Sequence, residues 1–248
     1  MIEIINLHKS FGKYDIHRGI NLKIVKGAIT YIIGPSGTGK SVLLKQMMGL
    51  IKPDKGNIII NGIDITKVGK SDLLSIRKKF GMLFQNAALF DSMTVYENVA
   101  FPLKEHTELN ESQMRDVIME KLRLVGLSGV DDKYPSELSG GMRKRVGLAR
   151  AIALSPDIML YDEPTTGLDP IMTDVVDDLI FTTQKELKIT SVVISHDIPS
   201  VMKIADYIGM LYQGRIVQYG TPDYFKTTDD PLVRQFFSGS KDGPIKVY

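Results

Sequence analysis

GPSGTGKS, Gly34 to Ser41, decides how this chain folds. It fits the pattern G-x-x-x-x-G-K-[ST] at every fixed position. The run before it, AITYII (Ala28 to Ile33), is short, apolar and ends at glycine, as a buried strand should. The run after it, SVLLKQMMGL, reads as a helix. A strand, a glycine-rich loop and a helix in that order make an anion cradle. The glycines let the backbone curl so that several N–H groups face one point, and the helix N-terminus adds positive partial charge. Lys40 can reach terminal phosphates, and the Ser41 hydroxyl can ligate Mg²⁺. The reading is nucleotide binding by Gly34, Pro35, Ser36, Gly37, Thr38, Gly39, Lys40, Ser41 and the adjoining Val42.

Strands and helices alternate outward from this loop. IEII and NLKIV (Asn21 to Val25) alternate apolar and polar residues and suggest antiparallel strands. NIIINGIDI places Asn61-Gly62 between two apolar runs, a hairpin pattern. KSDLLSIRKK reads as a short helix capped by Ser71, and FGMLF (Phe80 to Phe84) as a buried strand. From about Thr94 to Ala153 the pattern turns helical. ESQMRDVIMEKLRLVG places Met114, Val117, Ile118, Leu122 and Val125 on one face. DIMLYD and TSVVIS read as strands, each followed by a helix, from about Asp169 to Leu187 and from near Asp197. YIGMLY and RIVQYG form a last strand pair around Gln213-Gly214. This alternation predicts an α/β fold with a mostly parallel sheet covered on both faces, interrupted by a helical insertion. The ending SGSKDGPIKVY has neither period and is expected to order on contact with something else.

The bulk numbers exclude several classes. A chain of 248 residues with 43% hydrophobic and 24% charged residues suits a globular protein with a proper core. Cysteine is absent, which removes disulfide, thiol and Cys-ligated metal chemistry and agrees with a cytosolic setting. The start, MIEIINLHKS, lacks the basic and apolar regions of a signal peptide. No apolar run approaches the roughly 18 residues that span a bilayer, so any spanning is left to a partner. A net charge of +2 is too small to argue for nucleic acid.

Two further constellations carry chemistry. IMLYDE (Ile158 to Glu163) is an apolar strand ending in adjacent acids, at the strand end that faces the ligand crevice in a parallel sheet. Asp162 would hold Mg²⁺ together with Ser41, and Glu163 would polarise an attacking water. His196 follows a second apolar strand and is expected at the same edge, contacting the γ-phosphate. Ser195-His196-Asp197 is not a triad, because neighbouring side chains in an extended chain point opposite ways. LSGGMRKRVGLARA (Leu138 to Ala151) is a second glycine-rich helix start, with Ser139 able to cap it and Gly140 and Gly141 exposing bare N–H groups. Arg143, Lys144 and Arg145 point in different directions around that helix. They read as a solvated basic helix end and not as a nucleic-acid surface.

Taken together these motifs resemble the ABC-transporter ATPases over almost the whole chain. LSGGM at Leu138–Met142 looks like the family signature, GLDP at Gly167–Pro170 like its D-loop and His196 like its switch histidine. Gln85 matches the glutamine after a strand, and Phe11 sits where the family stacks an aromatic ring on adenine. The resemblance implies a P-loop NTPase (RecA-like) fold with an antiparallel β subdomain and a helical subdomain at about 87–154, all within one nucleotide-binding domain, 1–228. It implies ATP and Mg²⁺, with Lys40, Gln85, Glu163 and His196 catalytic and Ser41, Gln85 and Asp162 at the metal. It also implies a head-to-tail pair of copies in which Ser139, Gly140 and Gly141 close over the phosphates held by the mate.

The segment Phe84–Leu109, together with EPTTGLDPIMTDVVDDLI and DDPLVRQFFSG, is most similar to the Mla-type ATPases of MCE lipid-transport systems. That similarity implies phospholipid transport at the cytoplasmic side of the inner membrane. Its implied partners are an integral membrane permease, an MCE-domain lipid-binding protein and a STAS-domain regulator. Phe90, Met93, Val95, Tyr96, Val99 and Phe101 would form the permease groove, with about half of them in the core. The extension 229–248 is expected to contact the neighbouring subunit. Its residues could reach about 65 Å when extended. An amino-acid or small-solute importer ATPase is the alternative reading. A soluble ABC ATPase of translation or DNA maintenance fits less well, because the chain has one cassette and no sustained heptads.

Overall fold

A computed structural model describes residues 1–246; Val247 and Tyr248, the last two positions of the 229–248 extension, lie outside the described residues. The chain divides into two compact units, Met1–Leu73 with Val192–Tyr248, and Leu74–Ser191.

In the first unit, β1 (Ile2–Phe11) pairs antiparallel with β2 (Tyr14–Ile24). β1 also pairs with β4 (Lys55–Ile60), and β4 with β5 (Ile63–Asp64), giving a four-stranded antiparallel sheet. The hairpin between β4 and β5 turns on Asn61 (φ 48°) and Gly62 (φ 86°). Both central residues are left-handed, as a two-residue turn matched to strand twist requires. The second strand set of this unit begins with β3 (Ile29–Ile33), in which every residue is buried. β3 runs parallel to β9 (Tyr207–Tyr212), which is antiparallel to β10 (Arg215–Gly220). α1 (Lys40–Met47) follows β3 and buries Leu43, Leu44 and Met47.

The chain leaves this unit within α2 (Lys70–Arg77) and returns within β8 (Thr190–Ile194). Helix α2 starts at Lys70, so Ser71 lies in its first turn and does not cap it. The Leu73 N–H bonds instead to the Gly69 carbonyl.

In the second unit, β6 (Phe80–Leu83) runs parallel to β7 (Ile158–Asp162). Three α-helices lie between them in sequence, and each has a side-chain cap. α3 (Val95–His106) has a capping box of Thr94 with Glu97, and α4 (Glu111–Leu124) one of Asn110 with Gln113. Met114, Ile118 and Leu122 of α4 and the following Val125 are buried, whereas Val117 is half-buried. α5 (Gly140–Ala151) begins at Ser139, whose hydroxyl accepts the Met142 N–H at 3.3 Å. The end of α5 presses on β6: a Cβ at Gly81 would collide with the Ala151 carbonyl oxygen. α6 (Pro170–Leu187) is capped by Asp169, which accepts from Ile171 and Met172.

After β8 come α7 (Ile198–Ile204), α8 (Pro222–Thr227) and α9 (Pro231–Ser238). The expected parallel strands, antiparallel sheet and run of helices are all present. Helices α8 and α9 are additional to that expectation. The ending is also better tied down than its composition suggests. Ile245 is buried, and the Gln235 side-chain amide grips its backbone, accepting its N–H at 2.6 Å and donating to its carbonyl at 3.0 Å.

Candidate active site

In the first unit the phosphate loop is shaped by three glycines. Gly34 has φ 142°, and a Cβ there would run into the Leu211 carbonyl oxygen of β9. Gly39 caps α1 with φ 96° and no side-chain hydrogen bond, and a Cβ there would collide with Ile16 and His17. Gly37 has φ 76° and, among the described residues, nothing within 4 Å of where a Cβ would stand. Gly34 and Gly39 are therefore needed for close packing, and Gly37 for backbone freedom beside open space.

Ser36 and Gly37 are exposed, Ser41 and Val42 half-buried, and Lys40 buried. The Lys40 ammonium donates to the Gly34 and Pro35 carbonyls at 2.8 and 3.0 Å, and the Thr38 hydroxyl donates to the Pro35 carbonyl at 2.9 Å. The cation is thus held at the loop it would serve. Pro35, Ser36, Gly37 and Thr38 line a cavity of about 610 Å³ with Arg18 and Tyr212 among its other walls, and the tail residues Pro244 to Lys246 close one side. That size suits a nucleotide. The open cradle, the helix start without a side-chain cap and the adjacent cation fit a polyphosphate.

His17 and Gln46 support the loop from below, and sequence reasoning missed both. His17 is buried, with Nδ1 2.7 Å from Gln46 Oε1 and Nε2 3.1 Å from the Gly39 carbonyl. Burial lowers its pKa, against the opposing effects of those two hydrogen bonds. A neutral imidazole carries one N–H, yet both partners as placed are acceptors. Gln46 Nε2 has no hydrogen-bond partner among the described residues. Turning that amide lets it donate to Nδ1, while Nε2–H donates to Gly39.

Phe11 stands at the end of β1, 46% exposed, with the Lys9 ammonium 5.3 Å from its ring centroid. His196 is exposed just after β8. Asp197 caps α7 by accepting from Ser200, and Ser195 accepts from the Asp197 N–H. Both neighbours of His196 are therefore engaged in local structure.

The second unit carries the other candidate residues. Gln85 is exposed just beyond β6. The loop after it is held by α5: Arg150 donates to the carbonyls of Ala87 and Ala88 at 2.7 and 2.8 Å. Buried Asn98 ties down Phe90, Met93 and Thr94 of the same loop. Among the apolar residues there, Val95 and Val99 are buried, Met93 and Tyr96 are half-buried, and Phe90 and Phe101 are exposed with rings 4.9 Å apart.

Asp162 closes β7, half-buried. Glu163 follows with φ 52°, and its carboxylate accepts the Thr166 hydroxyl at 3.0 Å. In the glycine-rich helix start, Ser139 and Gly140 are exposed and Gly141 is buried against Met172.

The expectation of a solvated basic run fails at Lys144. That residue is buried, and its ammonium donates to the carbonyls of Pro164 and Thr166 at 2.5 and 2.7 Å. Burial lowers its pKa to about 8, opposed by the charge of Glu163. Arg143 and Arg145 point elsewhere, to the carbonyls of Leu138 and Gly126.

The model of the ABC transporter family matches residues 17–166. This chain belongs to the ABC transporter ATPases. It is 44% identical over 246 residues to the intermembrane phospholipid transport system ATP-binding protein MlaF of Haemophilus influenzae, covering 99% of this chain and 93% of that protein. To MlaF of Escherichia coli K12 the figures are 44%, 99% and 91%. It is 48% identical to the probable ribonucleotide transport ATP-binding protein mkl of Mycobacterium tuberculosis H37Rv, covering 98% of this chain and 68% of the relative. Among solved structures, it is similar to the ATP-binding cassette MJ0796 in a dimeric post-hydrolysis state bound to ADP and Pi. The TM-score is 0.82 at 31% identity, over 90% of this chain and 99% of that one. It is also similar to cbiO1 of Clostridium perfringens, part of the cbiONQ transporter complex, with a TM-score of 0.85 at 29% identity, over 95% and 94%. As an ABC ATPase the chain binds and hydrolyses ATP. Among the described residues, no helix is long and apolar enough to cross a membrane.

Proposed function

We propose that this ABC ATPase energises the movement of phospholipid between membranes. The observation that carries this reading is the match to the MlaF proteins along 91–93% of their own length, against 68% for the mycobacterial relatives with a ribonucleotide name. The implied partners are an integral membrane permease, an MCE-domain lipid-binding protein and a STAS-domain regulator. The implied location is the cytoplasmic face of the inner membrane. In the domain division we adopt, 1–228 is the nucleotide-binding domain with its helical subdomain at about 87–154, and 229–248 is an extension. The extension, in which Gln235 grips the backbone of Ile245, is assigned to contact with the neighbouring subunit.

For the chemistry, we assign the phosphates to Gly34–Val42 with Lys40 as counter-charge, and the adenine to the ring of Phe11. Glu163 accepts a proton from the attacking water as its oxygen bonds to the γ-phosphorus, and ADP leaves with the β–γ bridging oxygen. Gln85 and His196 orient water and γ-phosphate. Ser41, Gln85 and Asp162 offer a hydroxyl, an amide oxygen and a carboxylate, an all-oxygen set that suits Mg²⁺, which would neutralise charge on the phosphates. The dimeric cassettes among the similar structures support a pair in which Ser139, Gly140 and Gly141 of one protomer close over the nucleotide of its partner. ADP lacks the bridging phosphate, so hydrolysis loosens the pair.

The test has two parts. Glu163→Gln should bind ATP, lose at least about a hundredfold in turnover and accumulate as an ATP-bound dimer by gel filtration. Normal turnover removes Glu163 from this role. Mass spectrometry of the complex purified with its membrane partner should show bound phospholipid, and a nucleotide or amino-acid cargo would replace the lipid reading. Truncation after Thr228 should spare ATP binding and weaken assembly; unchanged assembly would leave the extension without that role.

A further inference from the structure

We propose that Lys144 is a positioning residue for ATP hydrolysis, holding the turn that carries Glu163. The inference rests on the reading that Glu163 activates water. Glu163 is not glycine, yet its backbone is left-handed at φ 52°. Such a conformation costs about 1–3 kcal/mol and persists only where the surroundings over-determine it. Four hydrogen bonds do so here. The Thr166 N–H reaches back to the Glu163 carbonyl at 3.3 Å, and the Thr166 hydroxyl holds the Glu163 carboxylate. Beneath them, the Lys144 ammonium clamps the Pro164 and Thr166 carbonyls from α5.

A buried cation spent on two backbone carbonyls is an expensive way to tie a loop, because desolvation penalises the charged form. A neutral donor such as glutamine could bond a carbonyl without that penalty. The charge has one evident use on this unit, since the Glu163 carboxylate lies within its electrostatic reach. Lys144 thus sets both the shape of the turn and the potential in which Glu163 works.

The experiment compares steady-state ATP hydrolysis with Mg²⁺ by the full chain and its variants. Lys144→Met should lower kcat by about 10- to 100-fold, the effect of a small misplacement of a reacting group. KM and the ATP dissociation constant should stay within about twofold. Lys144→Arg, which keeps charge and donors, should recover most of kcat. In a Glu163→Gln background, Lys144→Met should cost nothing further, because the residue acts through Glu163. Wild-type kcat in Lys144→Met overturns the proposal, as does an equal loss in both backgrounds. If Lys144→Met does not fold, Lys144→Gln decides, since it keeps a donor for the turn but removes the charge: a kcat loss that vanishes in the Glu163→Gln background supports the proposal, and unchanged kcat overturns it. Full turnover by Glu163→Gln alone would instead sink the reading on which the proposal rests.

Discussion

The phosphate loop after β3 and the turn after β7 both bend the chain sharply where a strand ends, and they hold the bend by opposite means. At Gly34, Gly37 and Gly39 the residues themselves permit the conformation, and the loop's own carbonyls fix Lys40. At Glu163 the residue resists its conformation, and a lysine nineteen positions earlier, on another element, restrains it. The first bend is built from local permission and the second from distant constraint. Ligand-binding loops can be assembled either way, but only the first leaves its reason in adjacent letters.

Substitution can break that contrast. The largest effect belongs to Gly34→Ala, whose methyl meets the Leu211 carbonyl. It should cost more than about 3 kcal/mol and remove ATP binding, whereas Gly37→Ala, with open space around it, should cost only about 1–2 kcal/mol. Thermal unfolding of the two variants checks this ordering, and equal losses would show that packing is not what separates them. Glu163→Gly should do the reverse of Gly34→Ala. It relieves the left-handed strain and should raise stability by about 0.5–1 kcal/mol while turnover disappears. A destabilised, inactive protein would mean that the turn is not strained.

The smallest effect concerns pH. His17 has a folded pKa below its ordinary 6.5 because burial disfavours the imidazolium. The unfolded chain therefore binds more protons in the interval between the two values. Stability from this group is complete above about pH 6.5 and drains away as pH falls toward the folded value. His17→Phe should flatten that acid limb of the unfolding curve. An unchanged limb would assign it to other groups.

Much of the fold was legible because its signals are local. The buried strand before Gly34, the Asn61-Gly62 hairpin, the acids closing IMLYDE and the cap at Ser139 each need only a few neighbouring residues. What escaped was set by contacts far apart in sequence. Nothing next to Lys144 announces Pro164 and Thr166, so a basic triplet read as solvated. Gln235 and Ile245 are ten positions apart, and neither alone predicts their clamp. Helices α8 and α9 did leave a trace, in Thr221-Pro222 and Asp230-Pro231, each a cap residue followed by proline at the first helical position. Their shortness hid the periodicity that would otherwise have shown them. In the site, Gln46 and His17 were invisible for the same reason as Lys144, because a support beneath a loop need not be near it in the chain.

Helix α5 works as a strut with fittings along its length. Its twelve residues span about 18 Å at 1.5 Å each. Ser139 caps its front, Lys144 grips the bend behind Glu163 one turn later, and Arg150 grips the strip beyond Gln85 near its rear. One helix thus carries the glycine-rich start, the restraint on the turn at Glu163 and the restraint on the loop beyond Gln85.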